Sequence, residues 1–278
     1  MRVGLIEAVW DGSGYEGSRG AEIAREIGYE SVDLITDPLD LVDGELQAAI
    51  DAAKAGALPV AAGICVSLGI TDFNPSVRRF HVDRAKRHVE FAAAVGASNM
   101  LMVIGDYVWK KEVIPPDEQW GWAVSALREI ATLADSLGIE IALELEPYEW
   151  SYVNSVDEMV RMLDEVDVPA MKANADLAHL WPMKIDAGEL GKLSGRIAHA
   201  HISDCDGIVY RNFPPGRKTA PLGEYMDALV ATGFDGTIAV ELEPAPDGED
   251  PVEWVREGYE KTVELINAAR RNGAGAAR

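Results

Sequence analysis

"IALELEP" (Ile141–Pro147) and "IAVELEP" (Ile238–Pro244) decide how this chain is read, because the same apolar strand with two glutamates at its end and a proline stop occurs twice. Side chains alternate between the two faces of a strand. Ile141, Leu143 and Leu145 therefore share one side, and Ala142, Glu144 and Glu146 the other. In the second copy Ile238, Val240 and Leu242 oppose Ala239, Glu241 and Glu243. A greasy outside covers an acidic inside, and any fold that gathers such strand ends has to neutralise the carboxylates it collects.

Working outward, short runs rich in Val, Ile, Leu and Ala recur near 3–6, 31–35, 59–66, 99–104, 140–146, 170–176, 197–202 and 237–242, which makes eight strand candidates. Stretches of helical spacing lie between them, among them "SVRRFHVDRAKRHVEFAAAVG" and "EQWGWAVSALREIATLADSLG", each closed by a glycine suited to a helix C-terminus. Strands that alternate with helices pair in parallel, and eight units in 278 residues predict an α/β fold of the (β/α)8 TIM-barrel type, with an open doubly wound sheet as the alternative. No GxGxxG opens the first helix and no GxxxxGK[ST] occurs, which weighs against phosphate-cradling nucleotide folds. One barrel domain is expected over 1–278, with a long loop over 206–223 and a frayed tail from about 268 to 278.

The formal charge of -22, from 47 acidic and 25 basic residues, repels phosphate backbones and anionic lipid, so neither nucleic acid nor a membrane is an expected partner. The two cysteines, Cys65 and Cys205, show no CxxC or other metal spacing, which fits a reducing compartment. "MRVGLIEAVWDG" has too short an apolar stretch for a signal peptide, and a cytoplasmic location is expected.

Active sites of such barrels lie at the C-terminal ends of the strands. Strand five ends in Glu144 and Glu146, strand six in Asp176 with His179 one turn beyond in "NADLAHL", strand seven in His199 and His201 in "RIAHAHISD", and strand eight in Glu241 and Glu243. Any one of these, taken singly, is more often a hydrogen-bonded core residue or a solvated strand end. Together they crowd like charges into one mouth, which is costly unless a cation compensates. A set of carboxylates with one imidazole suits one divalent ion, Mn²⁺ first and Mg²⁺ or Co²⁺ next, better than a structural zinc site. Such an ion would accept adjacent oxygens of a hydroxy-ketone, and the glutamates would serve as base and acid at the carbon next to the carbonyl. Trp10, Trp109, Trp150 and Trp181, in the strand-end loops, are candidates for an apolar wall over a sugar or aglycone, and Glu7 and Asp33 for contacts with hydroxyls. His81 and His88, in a helical stretch, are expected on the surface.

These residues resemble the xylose-isomerase-like barrel superfamily, which includes sugar phosphate isomerases, ketose 3-epimerases, inosose dehydratases and endonuclease IV-type repair enzymes. The resemblance rests on "ALELEP", "ADLAHL", "HAHISD", "PPGR" and "GFDGTIAVELEP", and it spans nearly the whole chain. It implies metal ligands at Glu144, Asp176, His201 and Glu241, with Glu144 and Glu241 doubling as the proton-transferring pair. It further implies a catalytic or substrate-contacting His179 and substrate contacts from Arg211 or Arg217 of the loop; Glu146 and Trp109 complete the expected substrate-binding set. "ELEPYEWSYVNS" departs from the Asn-Arg-aromatic-Glu stretch of the ketose 3-epimerases, and "PPGRK", with Lys218 at the second glycine's place, from the Pro-Gly-x-Gly loop frequent in the family. "HISDCDG" with its Pro-Pro-Gly-Arg loop also resembles the metal-dependent subunits that cleave 3-oxo-C-glycosides by elimination. With only five histidines and a charge of -22, the endonuclease branch fits poorly.

The leading expectation is thus a metal-dependent sugar isomerase or epimerase acting on a sugar or oxo-sugar. The alternatives are a lyase on the same scaffold, splitting a 3-oxo-C-glycoside or dehydrating an inosose, and a non-catalytic sugar-binding or partner subunit. A homo-oligomer is expected, or a hetero-oligomer with a small subunit if the C-glycoside resemblance governs.

Overall fold

The strand periodicity closes on itself. In the computed structural model, which describes residues 1–42, 44–109 and 113–276 and side chains as far as Gly273, eight parallel strands form a closed barrel in chain order. They are β1 (Arg2–Ile6), β2 (Ser31–Leu34), β3 (Val60–Val66), β4 (Asn99–Val103), β5 (Glu140–Glu144), β6 (Met171–Asp176), β7 (Ile197–Ile202) and β8 (Thr237–Val240). β1 closes the barrel on β8 through Arg2↔Thr237 to Leu5↔Val240, so the open sheet is excluded.

Seven α-helices pack outside among the described residues: α1 (Ser18–Ile27), α2 (Glu45–Ala55), α3 (Pro75–Val95), α4 (Pro116–Leu137), α5 (Val156–Val166), α6 (Leu222–Ala231) and α7 (Pro251–Ala276). Between β6 and β7 a 3-10 segment, Ala187–Leu193, takes the place of the eighth helix; glycines at 188 and 191 disfavour a longer α-helix there. Helix ends follow local chemistry. Asn74 accepts the Ser76 N–H ahead of Pro75 to start α3, and Gly96, at φ 82°, ends it. α7 runs through Ala276 and buries Ile266 and Ala269, so 268–276 is helical and partly packed where the sequence suggested a frayed tail; residues 277–278 lie outside the described part. No helix among the described residues is long and apolar enough to cross a membrane.

The outward sides of β5 and β8 behave as their alternation requires: Ile141, Leu143, Ile238 and Val240 are fully buried against the helical layer. The inward side is unusual. Interior positions of such barrels ordinarily hold branched apolar residues. Here Gly4, Ala62, Ala142 and Ala239 leave room for Ser31, Asp33, Asn99, Asn174, His199 and Thr237, all buried. A side chain at Gly4 would meet Ser31 Oγ at 2.7 Å and Thr237 Cγ2 at 3.0 Å, so the glycine is required by close approach.

Candidate metal centre

Strand register sets the site. Glu144 pairs with Asn174, Asp176 with His201, and His201 with Ala239, which brings the ends of β5, β6, β7 and β8 to one level of the mouth. A register shift at Ala173/Asn174 turns both Asn174 and Asp176 toward β7 histidines. The four residues expected as ligands come together there. His201 Nδ1 lies 3.2 Å from Glu241 Oε2, 3.7 Å from Glu144 Oε2 and 3.9 Å from Asp176 Oδ2. Ligand atoms of Glu144, Asp176 and His201, and again of Asp176, His179 and Glu241, fall within 4.8 Å of one another.

The donor set fits a cation on its own chemistry. Glu144 Oε1, Asp176 Oδ2, His179 Nε2 and both ring nitrogens of His201 are buried without a hydrogen-bond partner among the described residues, and such groups are rare unless something else satisfies them. Burial pushes the Glu144 carboxyl up to about 8 against the pull of His201 and His179, and raises Asp176 as well. Metal-free, this mouth does not sustain its full negative charge, which is the electrostatic signature of a site built around a positive ion. Burial opposes charge on His201 also, but Asp33 and Glu241 hold its imidazole well above the usual histidine range. Glu241, less enclosed, is drawn down to about 2 despite burial by the adjacent His201 imidazole. Asn174 Nδ2 donates to Glu144 Oε2 at 2.8 Å and fixes that carboxylate from the neighbouring strand.

His179 sits beside the four. Asp176 Oδ1 accepts the backbone N–H groups of Ala178 (2.7 Å) and His179 (3.1 Å), a turn that swings the imidazole back over the strand ends. His179 Nδ1 donates to the Leu145 carbonyl at 2.5 Å, its ring packs edge-on against Tyr210 at 4.4 Å, and Nε2 lies 3.3 Å from Asp176 Oδ2. Although burial opposes its charge, Asp176 and the surrounding glutamates raise it to about 9. Glu146 is half-buried just beyond β5, its carboxyl raised by burial; Glu243 is exposed.

The remaining candidates lie elsewhere. Arg217, expected on the substrate, is instead tied to Glu257 of α7 at 2.7 Å and to Glu249 at 2.8 Å and lies over the Trp254 ring, so its donors are committed. Arg211 is exposed on the β7 loop, and Trp109 is half-buried with its ring 5.8 Å from Phe73. Trp10 is buried in the core rather than forming a wall, and Trp181 packs under Gly207, whose φ of 75° and lack of a side chain admit the indole. His88, expected on the surface, is buried beside Asp37 at 3.3 Å, because α3 turns that face onto the β2 loop.

Sequence reasoning missed three contributors. Asn174 carried a signal, standing two residues before Asp176 on the same strand face. Asp33, read as a contact for hydroxyls, instead accepts His199 Nε2–H at 2.7 Å. Tyr210 lies in an irregular loop with no periodicity to reveal it. The last residue of "HISD" has a physical role in the same loop: Asp204 accepts backbone N–H groups of Gly216, Lys218 and Ala220 at 2.8–3.0 Å and shapes the Pro-Pro-Gly-Arg turn.

The chain is 27% identical over 168 residues to fructoselysine 3-epimerase of Shigella flexneri, covering 60% of this chain and 60% of that protein. It is 24% identical over 254 residues to D-psicose 3-epimerase of Ruminiclostridium cellulolyticum, covering 87% of this chain and 83% of that protein. In fold it matches the structure of the IOLI protein with a zinc atom bound, at a TM-score of 0.81 and 19% identity over 96% of this chain and 98% of that one. Residues 21–264 match the profile of the xylose isomerase-like TIM barrels, and the chain belongs to that family.

Proposed function

We propose that this protein is a divalent-metal-dependent sugar isomerase or epimerase that moves a proton at the carbon next to a carbonyl of a sugar or keto-sugar. The observation that carries the reading is the approach of Glu144 and Glu241, from β5 and β8, to the same imidazole nitrogen of His201. The 3-epimerase relatives act on ketose-type sugars by name, which supports the same substrate class here.

Glu144, Asp176, His201 and Glu241 would hold the ion. When bound, it supplies Lewis-acid polarisation of the substrate oxygens, and an oxygen-rich set with one imidazole favours Mn²⁺, with Mg²⁺, Co²⁺ or zinc as alternatives. The chain's own residues do the rest. One glutamate takes the proton from carbon as a carboxylate; the other, arriving as the neutral acid, returns one, so charge and protons balance over the cycle. Asn174 steadies Glu144 for that exchange, and His179, tethered to Leu145, presents Nε2 to a substrate hydroxyl. Glu146 lies close enough in chain and space to bind a further hydroxyl.

A second reading is favoured by one observation. Phe73, Tyr148, Ile208 and Val209, on the loops after β3, β5 and β7, are all exposed at the mouth, which suits a sugar bearing an apolar aglycone and elimination after the same proton abstraction. Incubation of the Mn²⁺-loaded protein in heavy water with ketoses, aldoses and 3-oxo-glycosides, followed by NMR, tests both. Loss of the α-proton with isomerised sugar supports the first, and loss with release of aglycone the second. Absence of exchange on every sugar, with an ion bound, would overturn both.

A further inference from the structure

Below the four residues at the mouth lies a second buried cluster: Asp33, His199 and His201, with ligand-type atoms within 4.8 Å of one another. Its internal contacts say what it is. Asn99 Nδ2 lies 3.5 Å from His199 Nδ1, and an amide nitrogen only donates, so Nδ1 is the acceptor and the ring proton is on Nε2. That Nε2–H points at Asp33 Oδ2 at 2.7 Å, the length of a charge-assisted hydrogen bond. Asp33 is fully buried, and its Oδ2 is held in place by that bond from His199. The same Oδ2 is 3.8 Å from His201 Nε2, and neither that nitrogen nor Asp33 Oδ1 has a hydrogen-bond partner among the described residues.

We propose that Asp33 is a positioning residue for His201: by facing Nε2 with a fixed negative charge it keeps the ring proton on Nε2 and leaves Nδ1 free for an ion held with Glu144, Asp176 and Glu241. His199 and Asn99 are the supports that fix Asp33 in turn. The inference rests on the metal reading above. The chain Asn99–His199–Asp33–His201 crosses the barrel from β4 through β7 to β2 and back, so the polar interior that replaces the usual apolar filling has a purpose. It orients one ligand from beneath while the mouth stays open to substrate. Carboxylates behind a ligating histidine set its tautomer and its basicity, and losing one typically costs about 10–100-fold in metal affinity. The cluster is not a second ion site, because His199 Nε2 spends its proton on Asp33 and offers no lone pair.

The test uses the whole chain loaded with Zn²⁺ and ¹⁵N-labelled at histidine. Two-bond ¹H–¹⁵N correlation is expected to show His201 protonated at Nε2 with Nδ1 on the metal, at one ion per chain. Asp33→Asn is expected to raise the Zn²⁺ Kd about 10–100-fold in competition with a chelating indicator, and to alter the visible spectrum of the Co²⁺ form. Wild-type His201 metallated at Nε2, or two ions per chain, overturns the proposal even if the variant fails to fold. A folded Asp33→Asn with its affinity within twofold and its Co²⁺ spectrum unchanged overturns it alone, while a wild type that takes no ion overturns the metal reading and this inference with it.

Discussion

The ends of β5 and β8 carry nearly the same seven residues, yet the structure treats them differently. Glu144 has a side chain 3% exposed, and burial lifts its carboxyl to about 8; Glu241 is 27% exposed, and the adjacent His201 imidazole carries it down to about 2 despite burial. The following glutamates diverge as well, Glu146 half-buried and Glu243 exposed. The motif is therefore not the determinant. What differs is the neighbour: β5 is flanked by β6, whose Asn174 and Asp176 crowd Glu144, whereas β8 is flanked by β7, whose His201 faces Glu241, and by β1, whose Gly4 and Leu5 bring no charge. Two like carboxylates in unlike surroundings hold their protons differently at the same pH.

The sharpest way to break the comparison is to neutralise each member. Glu144→Gln and Glu241→Gln are each expected to lower kcat by about 10²–10⁴-fold, the usual worth of a positioned acid or base, whatever the metal occupancy. Single-turnover assays at saturating Mn²⁺ check this. Equal, mild losses at both would mean that neither carries the proton.

Next in size is the pH dependence of the metal-free protein. Glu144 is an acid raised above its unfolded value, so the unfolded chain gives up its proton first; stability is highest below about 4.5 and falls as pH rises toward 8. Glu241 is depressed, so its contribution is present above about 4.5 and is lost as pH falls toward 2. In chelator-treated protein at pH 8, Glu144→Gln is thus expected to raise Tm and Glu241→Gln to lower it, at roughly 2–4 °C per kcal/mol for a chain of this size. Melting curves between pH 5 and 8 read both signs. Saturation with a divalent ion should reverse the first, since the removed carboxylate is then a lost ligand.

A smaller effect is expected at Asn174→Ala, which strips Glu144 Oε2 of its donor but leaves every carboxylate in place. The loss of one hydrogen bond to a charged group is worth about 1.5–3 kcal/mol, read as a ten- to hundredfold weaker Mn²⁺ affinity. Calorimetric titration measures it, and no change would show that Glu144 is held by packing alone.

Most of this architecture was legible because it is periodic. Alternation over Ile141–Glu146 and its repeat at Ile238–Glu243 placed strands and faces; the strand ends offered Glu144, Glu146, Asp176, His179, His199, His201, Glu241 and Glu243, and the family resemblance singled out Glu144, Asp176, His201 and Glu241 among them. What escaped was whatever depends on chain segments far apart meeting in space. Arg217 finds Glu257 of α7, 40 residues on, and His199 finds Asp33, 166 residues back; neither contact has a local signature. His88 was misplaced for a related reason: on α3 it lies among charged residues that look solvated, and only the β2 loop carrying Asp37 buries it.

The smallest predicted difference is the most discriminating test of why the two motifs diverge. Glu146 lies one residue past the Leu145 carbonyl that anchors His179, it is half-buried, and His179 and Asp176 are among the charges that act on its carboxyl. Glu243 engages its backbone, donating to the Asn212 carbonyl and accepting from Trp254 Nε1 at 3.0 Å, and its side chain is exposed. Glu146→Gln should therefore raise KM a few-fold, roughly the worth of one hydrogen bond to a substrate hydroxyl, and leave kcat nearly unchanged. Glu243→Gln should change neither. A kcat loss at Glu146→Gln as large as that at Glu144→Gln would move the proton transfer outward by two residues along β5, and the parallel with β8 would have to be redrawn around Glu146.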